Sequence, residues 1–254
     1  LHERALATRE RVYGPDDPAV ASSCAGLSSL ERELENLSRS RELAEREFAI
    51  RETKYAADHP SRASSYASMA SVERACGNLN AARELHEQAV AIRRNVFDPD
   101  HPQLASSYAA MASIHHAQGD AITARQLSEQ AIDIRRQVFG SNHPTLASSY
   151  AGLAAIERKA GNLTAARELL LNAIEIDERA YGGEHPSVAR DCSTLALVEA
   201  DDGTLPAARA QMRHAWEIRN AKYGSNHART KTCRDWLDQN DTEFPSESAP
   251  QDSS

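Results

Sequence analysis

Two kinds of side chain recur along this chain at a fixed interval, and either could carry chemistry. His59, His101, His143 and His185 are each followed by Pro and stand 42 residues apart. A row of imidazoles suggests metal ligation, but a zinc ion needs its nitrogen ligands about 2.0–2.1 Å away. Packed helices stand about 8–10 Å apart, so equivalent histidines in successive repeats cannot share one ion. His115 and His116 are adjacent and diverge on a helix, with no third ligand evident, so neither a metal nor another cofactor is expected. The second set is basic: Arg32, Arg74, His116 and Arg158 follow the same interval. A guanidinium can hold a carboxylate through two parallel hydrogen bonds. Preceding these bases are small residues, Ser64, Ser106 and Ser148, then Ala67, Ala109 and Ala151, with Ser71 and Ser113 a turn further on. Small side chains leave room for the backbone of a ligand. Serines placed by a period line a surface; they do not mark one activated nucleophile. The chain has no phosphate-binding Gly loop, nucleophile elbow or metalloprotease helix, so no catalytic residue is assigned and no enzyme is expected.

A 42-residue period is a supersecondary unit, copied and stacked. In the copy from His101 to Asn142, Pro102 suits the first helical turn, where a missing N–H costs nothing. Leu104, Tyr108, Met111 and Ile114 follow at helical spacing. Gly119-Asp120 ends this first helix. A second helix begins near Ile122 and carries Ala124, Leu127, Ala131, Ile132 and Ile134 to about Phe139. Gly140-Ser141-Asn142 turns the chain into the next His-Pro. Interhelix glycines recur at Gly77, Gly119, Gly161 and Gly203, and Glu35 takes that place in the first copy. Such pairs have two apolar sides and must stack to bury them. The predicted fold is therefore all-α, a right-handed superhelical solenoid of antiparallel helix pairs. Residues 1–16 match a second helix alone, residues 17–226 hold five repeats, and residues 227–240 form a capping helix. Residues 241–254, rich in Ser, Pro and acids, are expected to be disordered. The abrupt helical start suggests a piece of a longer protein.

Composition narrows the partners. The net charge of -8 argues against nucleic acid, and aromatics at 5% give little material for base stacking. Arg supplies 25 of the 29 basic residues. Cys24, Cys76, Cys192 and Cys233 fit neither a zinc spacing nor a disulfide framework, which points to a reduced, cytoplasmic setting. No apolar run approaches a membrane span. A later basic series, Arg51, Arg93, Arg135 and Arg219, falls near the ends of second helices, where positive charge complements the helix dipole.

Tyr108, Met111, Ala112, Gly119, Ala124 and Ala131 fall on the signature positions of the tetratricopeptide repeat (TPR), which the chain resembles over about residues 1–237. The longer unit, with its closing aromatic, Gly and His-Pro, is similar to the repeats of kinesin light chain. The resemblance implies a protein- or peptide-binding scaffold whose first helices line a concave groove. The paired asparagines with which kinesin light chains clamp a peptide backbone are replaced here by Ala67-Ser68, Ala109-Ala110 and Ala151-Gly152. The expectation is a noncatalytic scaffold whose groove takes an acidic peptide, with Arg32, Arg74, His116 and Arg158 as its bases. The plain alternative is that Glu31, Glu73 and Glu157 neutralise those bases. Two further readings stay open: a sensor or autoinhibitory region of a larger signalling enzyme (a STAND ATPase or caspase-like protease), and a self-assembling scaffold.

Overall fold

The computed structural model describes residues 2–240. The expectation for the segment 241–254 lies outside them. Among the described residues there are twelve α-helices and no strand. The chain divides into two compact units, Leu1–Ile134 and Arg135–Ser254, and the division falls inside a helix.

The first unit contains α1 (His2–Tyr13), α2 (Pro18–Glu33), α3 (Leu37–Lys54), α4 (Pro60–Ala75), α5 (Leu79–Val96), α6 (Pro102–Gln118) and most of α7 (Ala121–Phe139). From α1 to α6 each helix packs on the next, and α2 also meets α4, so first helices lie side by side. The second unit contains the end of α7, then α8 (Pro144–Lys159), α9 (Leu163–Tyr181), α10 (Pro186–Asp201), α11 (Leu205–Tyr223) and α12 (Ala228–Asn240). From α8 to α12 neighbours again pack in sequence, and α8 meets α10. Helix pairs stacked on helix pairs are the architecture predicted from the period.

Each first helix starts the same way. Asp17, His59, His101, His143 and His185 are N-caps followed by Pro. The imidazole Nδ1 of His59 accepts from the Ser61 N–H at 3.1 Å, and that of His101 from the Gln103 N–H at 3.2 Å. The Asp17 carboxylate does the same for Ala19 at 2.8 Å. Each capping imidazole also lies flat against the aromatic four residues earlier: Phe97 and His101 have centroids 3.9 Å apart, Tyr55 and His59 4.2 Å. The closing aromatic and the His-Pro of the next repeat are thus one device, which fixes the entry of α4, α6, α8 and α10.

The turn between the helices of a pair is a Schellman closure. Gly77, at φ 83°, donates its N–H to the Arg74 carbonyl, and Asn78 donates to the Glu73 carbonyl at 2.9 Å. Glu35 takes the same left-handed conformation at φ 63°, the one non-glycine with positive φ among the described residues. Alanines then let the helices approach closely: Ala82, Ala89, Ala124, Ala166, Ala173, Ala208 and Ala215 are fully buried. The larger core residues fill between helices. Val20, Cys24, Leu27 and Leu43 do so near α1–α3, and Val188, Cys192, Met212 and Leu237 near α10–α12. Burial pushes the Cys192 thiol up to about 12, so it is an inert core side chain.

Candidate functional site

In the first unit a cavity of 280 Å³ opens between α2 and α4. Ser28, Ser29 and Ala25 line it from α2; Ser64, Ala67, Ser68, Ser71 and Val72 line it from α4; Arg32 and Arg93 supply positive charge. Four of the sequence-predicted residues therefore converge there: Arg32, Ser64, Ala67 and Ser71. The floor is flat because small residues recur on one helical face. Two of its serine hydroxyls donate to their own helix, Ser64 to the Pro60 carbonyl at 3.3 Å and Ser71 to the Ala67 carbonyl at 2.9 Å. Their lone pairs stay available to a ligand N–H.

The other predicted residues do not line this cavity. Ser106 and Ser113 are exposed on α6, Ala109 is half-buried against the core beneath that helix, and His116 is half-buried. In the second unit Ser148 is exposed and donates to the Thr145 carbonyl, while Ala151 packs against the core between α9 and α10. Arg158 is committed to Asp201 at 2.6 Å.

Two of the acids adjoining the basic series make contacts of another kind. Glu31 accepts from the Asn36 side chain at 2.8 Å, and Glu73 from Asn78 at 2.6 Å. Glu73 is also held by Arg41 of the preceding second helix at 2.9 Å. The same link, 32 residues in sequence, joins Arg167 to Glu199 through two bonds of 2.8 and 3.0 Å. These carboxylates clasp the interhelix turn and tie one pair to the next. Arg32 reaches the Ser29 hydroxyl, at 3.2 Å, and Arg74 is exposed. Among the described residues neither of these two bases has a carboxylate partner.

The later basic series keeps a structural role and adds inter-repeat contacts to it. Dipole complementarity on a surface would leave these side chains outside; instead they turn inward. Arg93 is buried and donates to the Ser107 hydroxyl of the next first helix, and Arg135 does the same to Ser149. Arg9 reaches Ser23 at 2.6 Å and Arg219 reaches the Cys233 thiol at 2.8 Å, each fourteen residues on. Burial pushes the Arg93 and Arg135 guanidinium groups down from their ordinary value. The sequence did hold the signal, an Arg and a Ser locked at constant separation, but dipole reasoning considers one helix at a time.

Behind the cavity lies a residue that sequence reasoning missed. Glu47 on α3 occupies the place of Ala89, Ala131, Ala173 and Ala215, and it is fully buried. Arg51 Nη1 lies 2.6 Å from its Oε1, and the cavity-lining Ser68 also favours its charge, yet neither carboxylate oxygen accepts a well-aligned hydrogen bond. Desolvation outweighs both neighbours and pushes its pKa up to about 7. His86 on α5 is buried with Nδ1 unpartnered; desolvation, then Arg93 and Arg74, push it down to about 4. Among the described residues no group of three or more His, Cys, Asp or Glu could hold a metal, and no helix is long and apolar enough to cross a membrane.

The geometry agrees with comparisons against known proteins. Two family models, both described as tetratricopeptide repeat, match the chain: one at residues 61–137, 109–161 and 145–220, the other at 1–19 and 20–61. No curated protein sequence matches it. Among solved structures it is similar to nearly identical TPR-like repeats from Podosopora anserina, described as kinesin light chain. The identity is 27%, over 82% of this chain and 98% of that one, with a TM-score of 0.65. BtubC (BKLC) from P. vanneervenii shares the fold at a TM-score of 0.71 and 18% identity, over 100% of this chain and 96% of that one. The apo form of RapI does so at 0.65 and 13%, over 86% and 83%. With His-capped first helices, glycine-closed turns and alanine-packed second helices matched across most of its length, the chain belongs to the tetratricopeptide repeat family.

Proposed function

We propose that the chain is a noncatalytic scaffold that binds an extended acidic peptide along its first helices, with the α2–α4 cavity as an anchoring point. One observation carries the reading. A cavity floored by Ser and Ala has at its edge Arg32, a base with no carboxylate partner among the described residues. Small floor residues admit a peptide backbone, and serine lone pairs accept from its N–H groups. An acidic side chain then finds an uncommitted guanidinium, which can bind it through two hydrogen bonds. Membership of a family built for protein–protein contacts supports the binding role. The four free cysteines suit a reducing, cytoplasmic setting.

Bead-bound acidic, neutral and basic peptides of about ten residues, a length that spans ~30 Å extended, provide the test. The acidic set should retain the wild-type chain. Ala67→Trp, which fills the floor, should abolish retention while leaving the circular dichroism spectrum unchanged. Equal retention of the wild type by all three sets would sink the acidic preference, and retention of Ala67→Trp would sink the cavity as the anchor.

A further inference from the structure

The second unit carries a different polar cavity, of 380 Å³, where the start of α10, the end of α11 and the start of α12 meet. Its lining is Pro186, Ser187, Arg190, Arg219, Tyr223 and Arg229, three guanidinium groups and no acid. Two of these arginines depart from the repeat. Arg190 stands where the earlier first helices have Ser22, Ser64, Ser106 and Ser148. Arg229 stands where they have Ala19, Ser61, Gln103, Thr145 and Ser187. The stacking of repeats therefore does not require a base at either place.

Structural roles account for part of this charge. Arg190 answers a buried acidic pair: it holds Asp191 through Nε at 2.6 Å and Nη2 at 3.0 Å, with Asp177 at 3.4 Å. Its Nη1 donors have no partner among the described residues. Arg219 is an inter-repeat staple, but its partners among the described residues are neutral: the Cys233 thiol, the Ser193 hydroxyl at 2.9 Å, and the Ala189 and Arg229 carbonyls at 3.4 and 3.3 Å. Arg229 is exposed, and its guanidinium has no partner among the described residues. The cavity thus presents three cations from three helices against two acids that lie behind it and are occupied with Arg190. Donors converging from three directions suit a tetrahedral dianion better than a planar carboxylate, which offers only two oxygens.

We propose that this cavity is a phosphoryl-binding site, with Arg229 and the free edge of Arg190 as direct contacts and Arg219 as the fixed charge beneath. The shared chemistry is a phosphate dianion, carried by a phosphorylated side chain or free as a small anion. The site is separate from the α2–α4 cavity and stands or falls independently of it.

Calorimetric titration of the full chain at constant ionic strength tests this, with inorganic phosphate in one arm and a phosphoserine pentapeptide in the other. The unphosphorylated pentapeptide is the blank. Saturable binding is expected in at least one arm. It should weaken about ten-fold or more in Arg229→Gln, the loss of one charge-assisted contact. Arg179→Gln, on exposed α9 surface, should leave it unchanged. Tighter binding of the phosphopeptide than of phosphate assigns the source to a protein partner, and the reverse assigns it to a small anion. Absence of saturation in both arms, or equal affinity in Arg229→Gln, overturns the proposal. A thermal melt of Arg229→Gln that matches the wild type keeps a loss of binding from being read as unfolding.

Discussion

A few side chains decide the energetics at the residue scale. His101 does two jobs, capping α6 through Nδ1 and stacking on Phe97. His101→Ala should lower stability by about 1–2 kcal/mol. His101→Asp, which copies Asp17, should recover roughly the capping half of that loss in chemical denaturation. Glu47 and His86 set opposing pH responses. The folded pKa of Glu47 is raised, so its contribution is full below the unfolded value of 4.5 and is lost as pH rises through about 7. That of His86 is lowered, so its contribution is full above 6.5 and is lost as pH falls through about 4. Glu47→Ala restores the residue of the other repeats, and Arg93 and Arg135 show that the neighbouring Arg51 can persist without an acid. The variant should therefore gain about 3 kcal/mol relative to wild type between pH 4 and pH 8, from the linkage of protonation to folding. Urea denaturation at the two pH values measures this; a gain independent of pH would mean that Glu47 titrates in the folded chain as it does in the unfolded one.

The elements were largely legible in the sequence, because each boundary is set by local chemistry. Pro at the first helical turn and Gly at the closing turn fix α6 as Pro102–Gln118 and start α7 at Ala121, close to the predicted limits. The departures confirm how local the rules are. Glu35 stands at a left-handed turn position that costs an L-residue about 1–2 kcal/mol. Glu35→Gly should therefore stabilise the chain, by about 0.5–1 kcal/mol once the extra freedom of glycine in the unfolded state is counted. Gly77→Ala, at φ 83°, should destabilise it by a similar or larger amount, and thermal melts of both variants check the pair. Contacts between elements were less legible. The inward turn of Arg93 onto Ser107 depends on which face of α5 meets α6, and a single-helix argument has no access to that. For the same reason the link from Arg41 on α3 to Glu73 on α4 was not legible.

At the scale of the whole molecule, the repeat makes one grammar and the departures from it make the surfaces. Arg32, Ser64, Ala67 and Ser71 come together because α2 and α4 are neighbouring first helices, as the period requires. Arg158 was expected to act with them, but it belongs to the second unit and is tied to Asp201, a pairing across 43 residues that the period does not encode. Where the repeat breaks, at Glu47, Arg190 and Arg229, new charge enters, either buried or lining a cavity. The claim that matters most is that the free bases of the first unit select an acidic peptide. Fluorescence anisotropy of a labelled acidic decapeptide, with wild type and the Arg32→Glu, Arg74→Glu double variant, measures it directly. The wild type should bind saturably and more weakly as salt rises. The double variant should lose at least about ten-fold in affinity, ~1.4 kcal/mol, with an unchanged melting temperature. An affinity that the double reversal leaves intact would contradict the account.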